Sequence, residues 1–327
     1  MKLTLPPPQS ALESRALGCM AGLAVGNVLG LAVESASRGE VQHRLGASGP
    51  LKELPTQELD RFWDDDLAMA MALAECLIAL PRKATHLDTS AIQSAYLTWF
   101  RTGARGIGGL TQEVLLKAST GEARTAERVW QTRCRWGRRP IGNGAAMRIA
   151  PLGLAFAGDP ARIADLADED AAITHWDPAC RQSAAAIALL TAALVRGEPD
   201  PMAFARSHTG ILEPDVAAAW EPLPLTTLAA RGMDHEDMGS TLLALKVAVS
   251  VVQDGAPFVD ALPWVLRQGG DTDTNGAIVG ALLGSRDGLR AIPVEWWRCV
   301  SQGGRILQAG RKLLERSGLL ASARENS

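Results

Sequence analysis

Two acidic clusters in this sequence have the composition and spacing of cation ligands. Asp64-Asp65-Asp66 sets three adjacent carboxylates at the opening of the apolar stretch that begins at Leu67. One or two acids suffice to cap a helix, each gaining about 0.3–1 kcal/mol from the dipole. Three side by side repel one another unless a cation neutralises them. The second cluster, Gly269-Gly270-Asp271-Thr272-Asp273-Thr274-Asn275, places two acids and two hydroxyls in a glycine-flanked turn ahead of another apolar helix. Acids two apart on a bend can aim at one point, and hard cations such as Mg²⁺ or Mn²⁺ take carboxylate, hydroxyl and water oxygens in octahedral array. An Asx-turn with a cap needs just one such residue. The joint presence of Asp65, Asp66, Asp271, Asp273 and Thr274 therefore predicts two divalent ions held between two helix starts, some two hundred residues apart in the chain.

Two further segments have chemical content. Gly142-Asn143-Gly144 can present backbone N–H groups just ahead of a helix, an arrangement suited to a diphosphate. Upstream, Arg133, Arg135, Arg138 and Arg139 form the dense basic run of a nearly neutral chain. It could contact phosphate or an acidic target protein, or be a solvated loop. His175 has no local context that makes it more than structural, and His43, His86, His208 and His235 receive no role.

The elements that must position these groups read as helices. Of the 327 residues 47% are hydrophobic and 5% aromatic, with one tyrosine, Tyr96; Ala and Leu dominate, the composition of packed helices rather than of a sheet. Apolar periodicity predicts helices over 11–31, 67–80, 89–100, 145–156, 180–195, 241–252, 275–283 and 306–320, with Gly/Pro breakers between them. Small residues at Gly18, Gly22 and Gly26, and at Gly276, Gly280 and Gly284, predict close helix packing. No fixed repeat or linker appears, so one domain over 11–319 is expected, with dispensable tails at 1–10 and 320–327.

A formal net charge of −3 gives no electrostatic reason to expect nucleic acid or an anionic membrane as partner. No apolar run reaches the roughly 20 residues of a spanning helix, and the triple proline near the start replaces a signal peptide's apolar stretch. A cytoplasmic monomer is expected. The five cysteines are far apart without a CxxC pair, which suggests core residues rather than disulfides or a zinc knuckle.

Five strings occur in a fixed order: Gly22-x-x-x-Gly26-Asn27-x-x-Gly30-x-x-x-Glu34, Asp64-Asp65-Asp66, Gly142-Asn143-Gly144-Ala145-Ala146-Met147-Arg148, Thr174-His175, and the 269–275 turn. Together they resemble the ADP-ribosylglycohydrolase family, including the dinitrogenase reductase-activating glycohydrolases, over about residues 15 to 300. The resemblance implies an all-α, single compact multi-helix domain around a binuclear Mg²⁺ or Mn²⁺ centre. That centre would hydrolyse the bond between ADP-ribose and a modified protein side chain. It also implies that Asp65, Asp66, Asp271, Asp273 and Thr274 are metal ligands and that Glu34 and Asp273 are catalytic. Gly142, Asn143, Gly144, Met147, His175 and Gly270 fall on substrate-binding positions. The alternative reading of Glu34 is a solvated acid after the first helix.

The pattern departs from the family in three places. Asn27 stands where an Asp is usual. Asp64 and Leu67 replace the hydroxyls that usually flank the paired acids, so Asp64 can itself ligate a metal while Leu67 cannot. The loop Arg105-Gly106-Ile107-Gly108-Gly109 has glycine where arginine-directed relatives carry an acid, which weakens the case for a cationic modified arginine. The tyrosine that many relatives stack on adenine before Gly239 is also missing, leaving Trp176 or Trp63 as candidates. These departures keep open a non-catalytic ADP-ribose binder, and an immunity protein that blocks an ADP-ribosylating toxin.

Overall fold

The structure, a computed structural model, describes residues 8–48, 51 and 63–320. Its helices are α1 (Ala11–Leu31), α2 (Arg38–Leu45), α3 (Asp65–Ala79), α4 (Thr89–Arg101), α5 (Gly109–Ser119), α6 (Thr125–Arg135), α7 (Ala150–Ala155), α8 (Ile163–Ala171) and α9 (Pro178–Arg196). There follow α10 (Pro201–Ser207), α11 (Pro214–Trp220), α12 (Leu225–Arg231), α13 (Thr241–Asp254), α14 (Phe258–Leu266), α15 (Thr272–Asp287), α16 (Val294–Trp297) and α17 (Gly303–Ser317). Among the described residues the extended pairing is a single bridge between Gly142 and Ser240. The all-α expectation holds.

Local chemistry sets many of the helix ends. The Ser10 hydroxyl accepts from the Glu13 N–H to start α1, and Ser37 with Glu40 forms a reciprocal capping box on α2. Asp177 caps α9 ahead of Pro178, and left-handed Gly197 ends it. The helix expected over 145–156 shrinks to Ala150–Ala155. Residues before it form turns, with Met147 N–H donating to the Asn143 carbonyl, and Pro151 favours a start at Ala150. Several helices were absent from the periodicity reading because they are short or polar. In α6, for example, Thr125, Ala126 and Val129 are the buried residues of a segment rich in arginine. Cys19 and Cys180 are core residues as expected, but Cys134 is exposed and Cys76 and Cys299 are half-buried.

The centre of the molecule is the antiparallel pair α1 and α15. A methyl group added at Gly22 would lie 2.0 Å from the Gly280 carbonyl oxygen, and one at Gly26 would lie 1.9 Å from that of Gly276. The glycine at 18 faces Gly284 in the same way. Backbones therefore touch without intervening side chains, a contact open to glycine alone. The Thr272 hydroxyl donates to the Gly30 carbonyl at 2.9 Å and closes the pair at one end. Beyond it, Ser35 N–H donates to the Gly270 carbonyl and Gly270 N–H to that of Ala36. This register brings the segment that leaves α1 against the first turn of α15.

By length and composition α1 and α9 could each cross a membrane, contrary to the expectation that no run reaches that length. In each, 83% of the apolar window is buried in the fold. The same composition arises when a helix is enclosed on all sides by others. One continuous core covers the described chain from Ala16 to Leu314, with a small satellite of Val114, Ala126 and Val129 under α5 and α6. Of the expected tails, 1–7 and 321–327 lie outside the described residues.

Candidate metal centre and substrate cleft

Two helix starts converge on one site. Asp64 is the N-cap of α3, its carboxylate accepting from Leu67 N–H at 3.4 Å, and Asp65 and Asp66 occupy the first turn. Asp271 is the N-cap of α15, with Asp273 and Thr274 following. All six side chains belong to buried or nearly buried residues. Oxygens of Asp64, Asp65 and Asp66 lie within 4.8 Å of one another. Asp66, buried to 1% exposure, has both carboxylate oxygens without a hydrogen-bond partner, as has Asp273 at Oδ1.

Such a cluster is electrostatically frustrated by itself. Burial, then the charge of Asp64, pushes Asp65 up to about 8. Burial, then Asp271, pushes Asp273 up to about 10. Asp66 is driven well above the usual carboxylate range by burial first, then by Asp64 and Asp273. Asp64 rises to about 6, burial outweighing the hydrogen bonds from Asn27 and Leu67. Buried acids with unpartnered oxygens are what a cation would pair, so the donor set fits divalent metal: carboxylates from both helix starts, with Thr274 and water to complete the shell.

The departures at 27 and 64 turn out to be one feature. Asn27 Nδ2 donates to Asp64 Oδ2 at 2.8 Å, and both residues are buried. The amide at 27 thus holds the carboxylate at 64. The Leu67 side chain, by contrast, is fully buried in the core.

Outside the acids lies a cavity of about 290 Å³, near the lower end for small-molecule sites. Glu34, Asp65, Asp271, Asp273, Thr274, Gly142, Asn143, Gly144, Met147 and His175 all line it. Asp64 and Asp66 are not among the lining residues. Gly270 is not in the lining either; its positive φ and its three backbone hydrogen bonds make the turn into α15. Partial burial, then Asp271, raises the Glu34 carboxyl above its ordinary value. Asn143 Nδ2 donates to Asp271 Oδ2 at 2.7 Å.

The 142–144 loop does not sit at a helix start as expected. The helix begins at Ala150, and Asn143 N–H is taken by the Gly239 carbonyl. Instead, a methyl group at Gly144 would lie 2.7 Å from His175 Cε1, so the loop is shaped to lie against the imidazole. His175 is 1% exposed, and burial, then Arg148 and Arg133, pushes its pKa down to about 3, leaving it neutral.

Other expectations are corrected. Arg133 is paired with Glu113, and Arg139 with Asp177 and Asp215. Neither lines the cavity. Trp63 donates to the Ser301 carbonyl beneath Arg305, and Trp176 lies beneath Arg181, both away from the cavity lining. The apolar wall is instead Leu110, Met147 and Met238. Leu110, Thr111 and Met238 carry no spacing signal and were missed; the glycine density at 106–109 was the visible trace of that wall. Gly106 has φ +71°, and a methyl group there would lie 2.8 Å from Asp65 Oδ1. Gly108 N–H hydrogen-bonds the Asp65 carboxylate. The loop thus braces a candidate ligand through its backbone. A second groove of about 710 Å³ is larger, but none of the paired acids lines it.

Comparison with known proteins adds the following. A family model described as ADP-ribosylglycohydrolase matches residues 8–323. The ADP-ribosyl-[dinitrogen reductase] glycohydrolase of Rhodospirillum rubrum is 27% identical, over 88% of this chain and 90% of its own. The ADP-ribosylarginine hydrolase Tri1 of Serratia proteamaculans is 24% identical, over 95% of this chain and 82% of its own. A solved structure described as an ADP-ribosylglycohydrolase-related protein complex superposes with a TM-score of 0.71 at 27% identity, covering 94% of this chain and 99% of that one.

Proposed function

The chain belongs to the ADP-ribosylglycohydrolase family, and on that premise we propose that it hydrolyses the bond joining ADP-ribose to a modified protein side chain, using two divalent cations held by Asp64, Asp65, Asp66, Asp271, Asp273 and Thr274. The observation that carries this reading is the meeting of Asp65, Asp271, Asp273 and Thr274 with Glu34 and the 142–144 loop around one cavity. Bound Mg²⁺ or Mn²⁺ would supply Lewis-acid polarisation of ribose and water oxygens.

The chain's own residues supply the rest. Glu34 reaches the cavity from the end of α1 and is suited to accept the attacking water's proton, or to face the positive ribosyl carbon as the bond breaks. Asn143 fixes the orientation of Asp271, and Gly108 that of Asp65. Leu110, Met147 and Met238 offer apolar surface to a base. No side chain at 106 can stand beside Asp65 without displacing it, so that position offers no acid to a guanidinium. This removes one acidic partner for a modified arginine, but Glu34, Asp65, Asp271 and Asp273 remain in the cavity wall, so arginine- and serine-linked proteins are both candidate substrates. Burial of both long apolar helices within the fold supports core helices rather than membrane spans; a cytoplasmic location and a monomeric state belong to the proposal.

Incubation with ADP-ribosylated protein and Mg²⁺ or Mn²⁺ tests the reading. Free ADP-ribose should be released from an arginine- or a serine-linked substrate, and Asp273→Ala should abolish release while circular dichroism stays helical. ADP-ribose binding by calorimetry without release from either substrate would replace the hydrolase with a binder.

A further inference from the structure

Behind the cleft runs a fully buried polar chain that the reaction scheme does not use. Arg148 Nε donates to Asp170 Oδ2 at 2.9 Å, and Nη2 donates to the Asp170 carbonyl at 3.0 Å. Tyr96 donates to the other carboxylate oxygen of Asp170 at 2.7 Å, and its ring lies 4.7 Å from the guanidinium carbon. The remaining nitrogen, Nη1, donates to the Gly144 carbonyl at 3.1 Å and to the Thr174 hydroxyl at 2.8 Å. That hydroxyl lies 2.8 Å from His175 Nδ1. Arg148, Asp170, Tyr96 and Thr174 are each 0% exposed.

The direction of the last hydrogen bond follows from the first ones. A guanidinium can donate but never accept, so Thr174 Oγ1 accepts from Arg148 and keeps its own hydrogen to place. His175 Nδ1 is its remaining neighbour within hydrogen-bond reach. A buried hydroxyl hydrogen left unplaced is unfavourable, so Nδ1 is the acceptor and carries no proton. A neutral imidazole with bare Nδ1 carries its hydrogen on Nε2. This edge faces the loop: methyl groups added at Gly142 and Gly144 would lie 3.4 Å and 3.0 Å from Nε2. His175, Gly142 and Gly144 all line the cavity.

We propose that Thr174 is a positioning residue: oriented by Arg148, it fixes His175 as the Nε2–H tautomer, so that the cleft presents a neutral, fixed N–H donor to a ligand oxygen. The same Arg148 nitrogen holds the Gly144 carbonyl, so donor and facing loop are set by one buried group. The oxygen served is a phosphate or hydroxyl oxygen of the ADP-ribosyl group, a point that rests on the hydrolase reading; the tautomer itself does not.

The test is ¹⁵N NMR of the histidine-labelled protein without ligand, with His175→Gln to assign the signals. The wild type at pH 7 should show His175 protonated at Nε2 and bare at Nδ1. Thr174→Val, which keeps the shape and removes the hydroxyl, should give a mixture of tautomers and weaken ADP-ribose binding roughly threefold to tenfold by calorimetry. Thr174→Ser should restore both. A wild-type imidazole protonated at Nδ1, or a folded Thr174→Val with unchanged nitrogen signals and affinity, would overturn the proposal. Wild-type protein with the expected tautomer but no affinity for ADP-ribose would overturn the hydrolase reading and leave the relay standing.

Discussion

Replacing Gly22 with alanine tests how the two halves of the site are brought together. In an ordinary helix this change stabilises, by about 0.4–1 kcal/mol. Here the new methyl group would stand 2.0 Å from the Gly280 carbonyl oxygen, where ordinary contact begins at 3.4 Å. The obstacle is backbone on both sides, so the two helices must part by over 1 Å along a seam lined by glycine. Overpacking of this kind costs typically about 1–3 kcal/mol, which outweighs the propensity gain. A chain larger than 250 residues moves its Tm by about 2 °C per kcal/mol, so Gly22→Ala should lower Tm by several degrees. Gly304→Ala is the matched control. That glycine lies in the first turn of α17 with open space around it, and its substitution should leave Tm unchanged or raise it by about 1–2 °C. Differential scanning calorimetry of the two variants decides the matter. If Gly22→Ala melts at or above the wild type, α1 and α15 are not in backbone contact, and the register that carries Glu34 to Asp271 falls with it.

The remaining predictions concern the site. In EDTA the wild type should lose stability as pH rises. Asp65 is pushed up to about 8 in the fold, so its stability is whole below the unfolded value near 4 and is lost as pH climbs toward 8; melts at pH 5 and pH 8 check this, and added Mn²⁺ should raise Tm more at pH 8. Asn27→Asp sets a second carboxylate at the 2.8 Å contact with Asp64 and should lower the EDTA Tm at pH 8 more than at pH 5. Equal shifts at both values would show that the pair is not charge-sensitive. Glu34→Gln should reduce the rate of ADP-ribose release about 10²- to 10⁴-fold while changing ADP-ribose affinity by calorimetry little. A rate within tenfold of wild type would return Glu34 to a solvated acid.

What sequence could reveal here depended on whether a role leaves a local mark. Asp64-Asp65-Asp66 and Asp271-x-Asp273-Thr274 are readable because adjacent acids at a helix start conflict with themselves, and a conflict in one short string signals a missing cation. The glycine spacing in α1 and α15 is readable as close packing, but the pairing of Gly22 with Gly280 depends on tertiary register. Asn27 and Asp64 look like two separate losses until the fold shows them hydrogen-bonded. Met238 and Leu110 leave no trace, since an apolar residue facing a cavity looks like one facing the core. The 142–144 loop shows the converse: glycines before a helix suggest a phosphate cradle, yet the helix starts only at Ala150 and the glycines also admit an imidazole, a use that no local pattern encodes.

The most direct measurement is anomalous diffraction at the manganese edge from crystals grown with Mn²⁺. The account predicts two peaks bounded by oxygens of both segments, Asp64 to Asp66 on one side and Asp271, Asp273 and Thr274 on the other. Strong peaks elsewhere, or ions ligated by one segment alone, would contradict it.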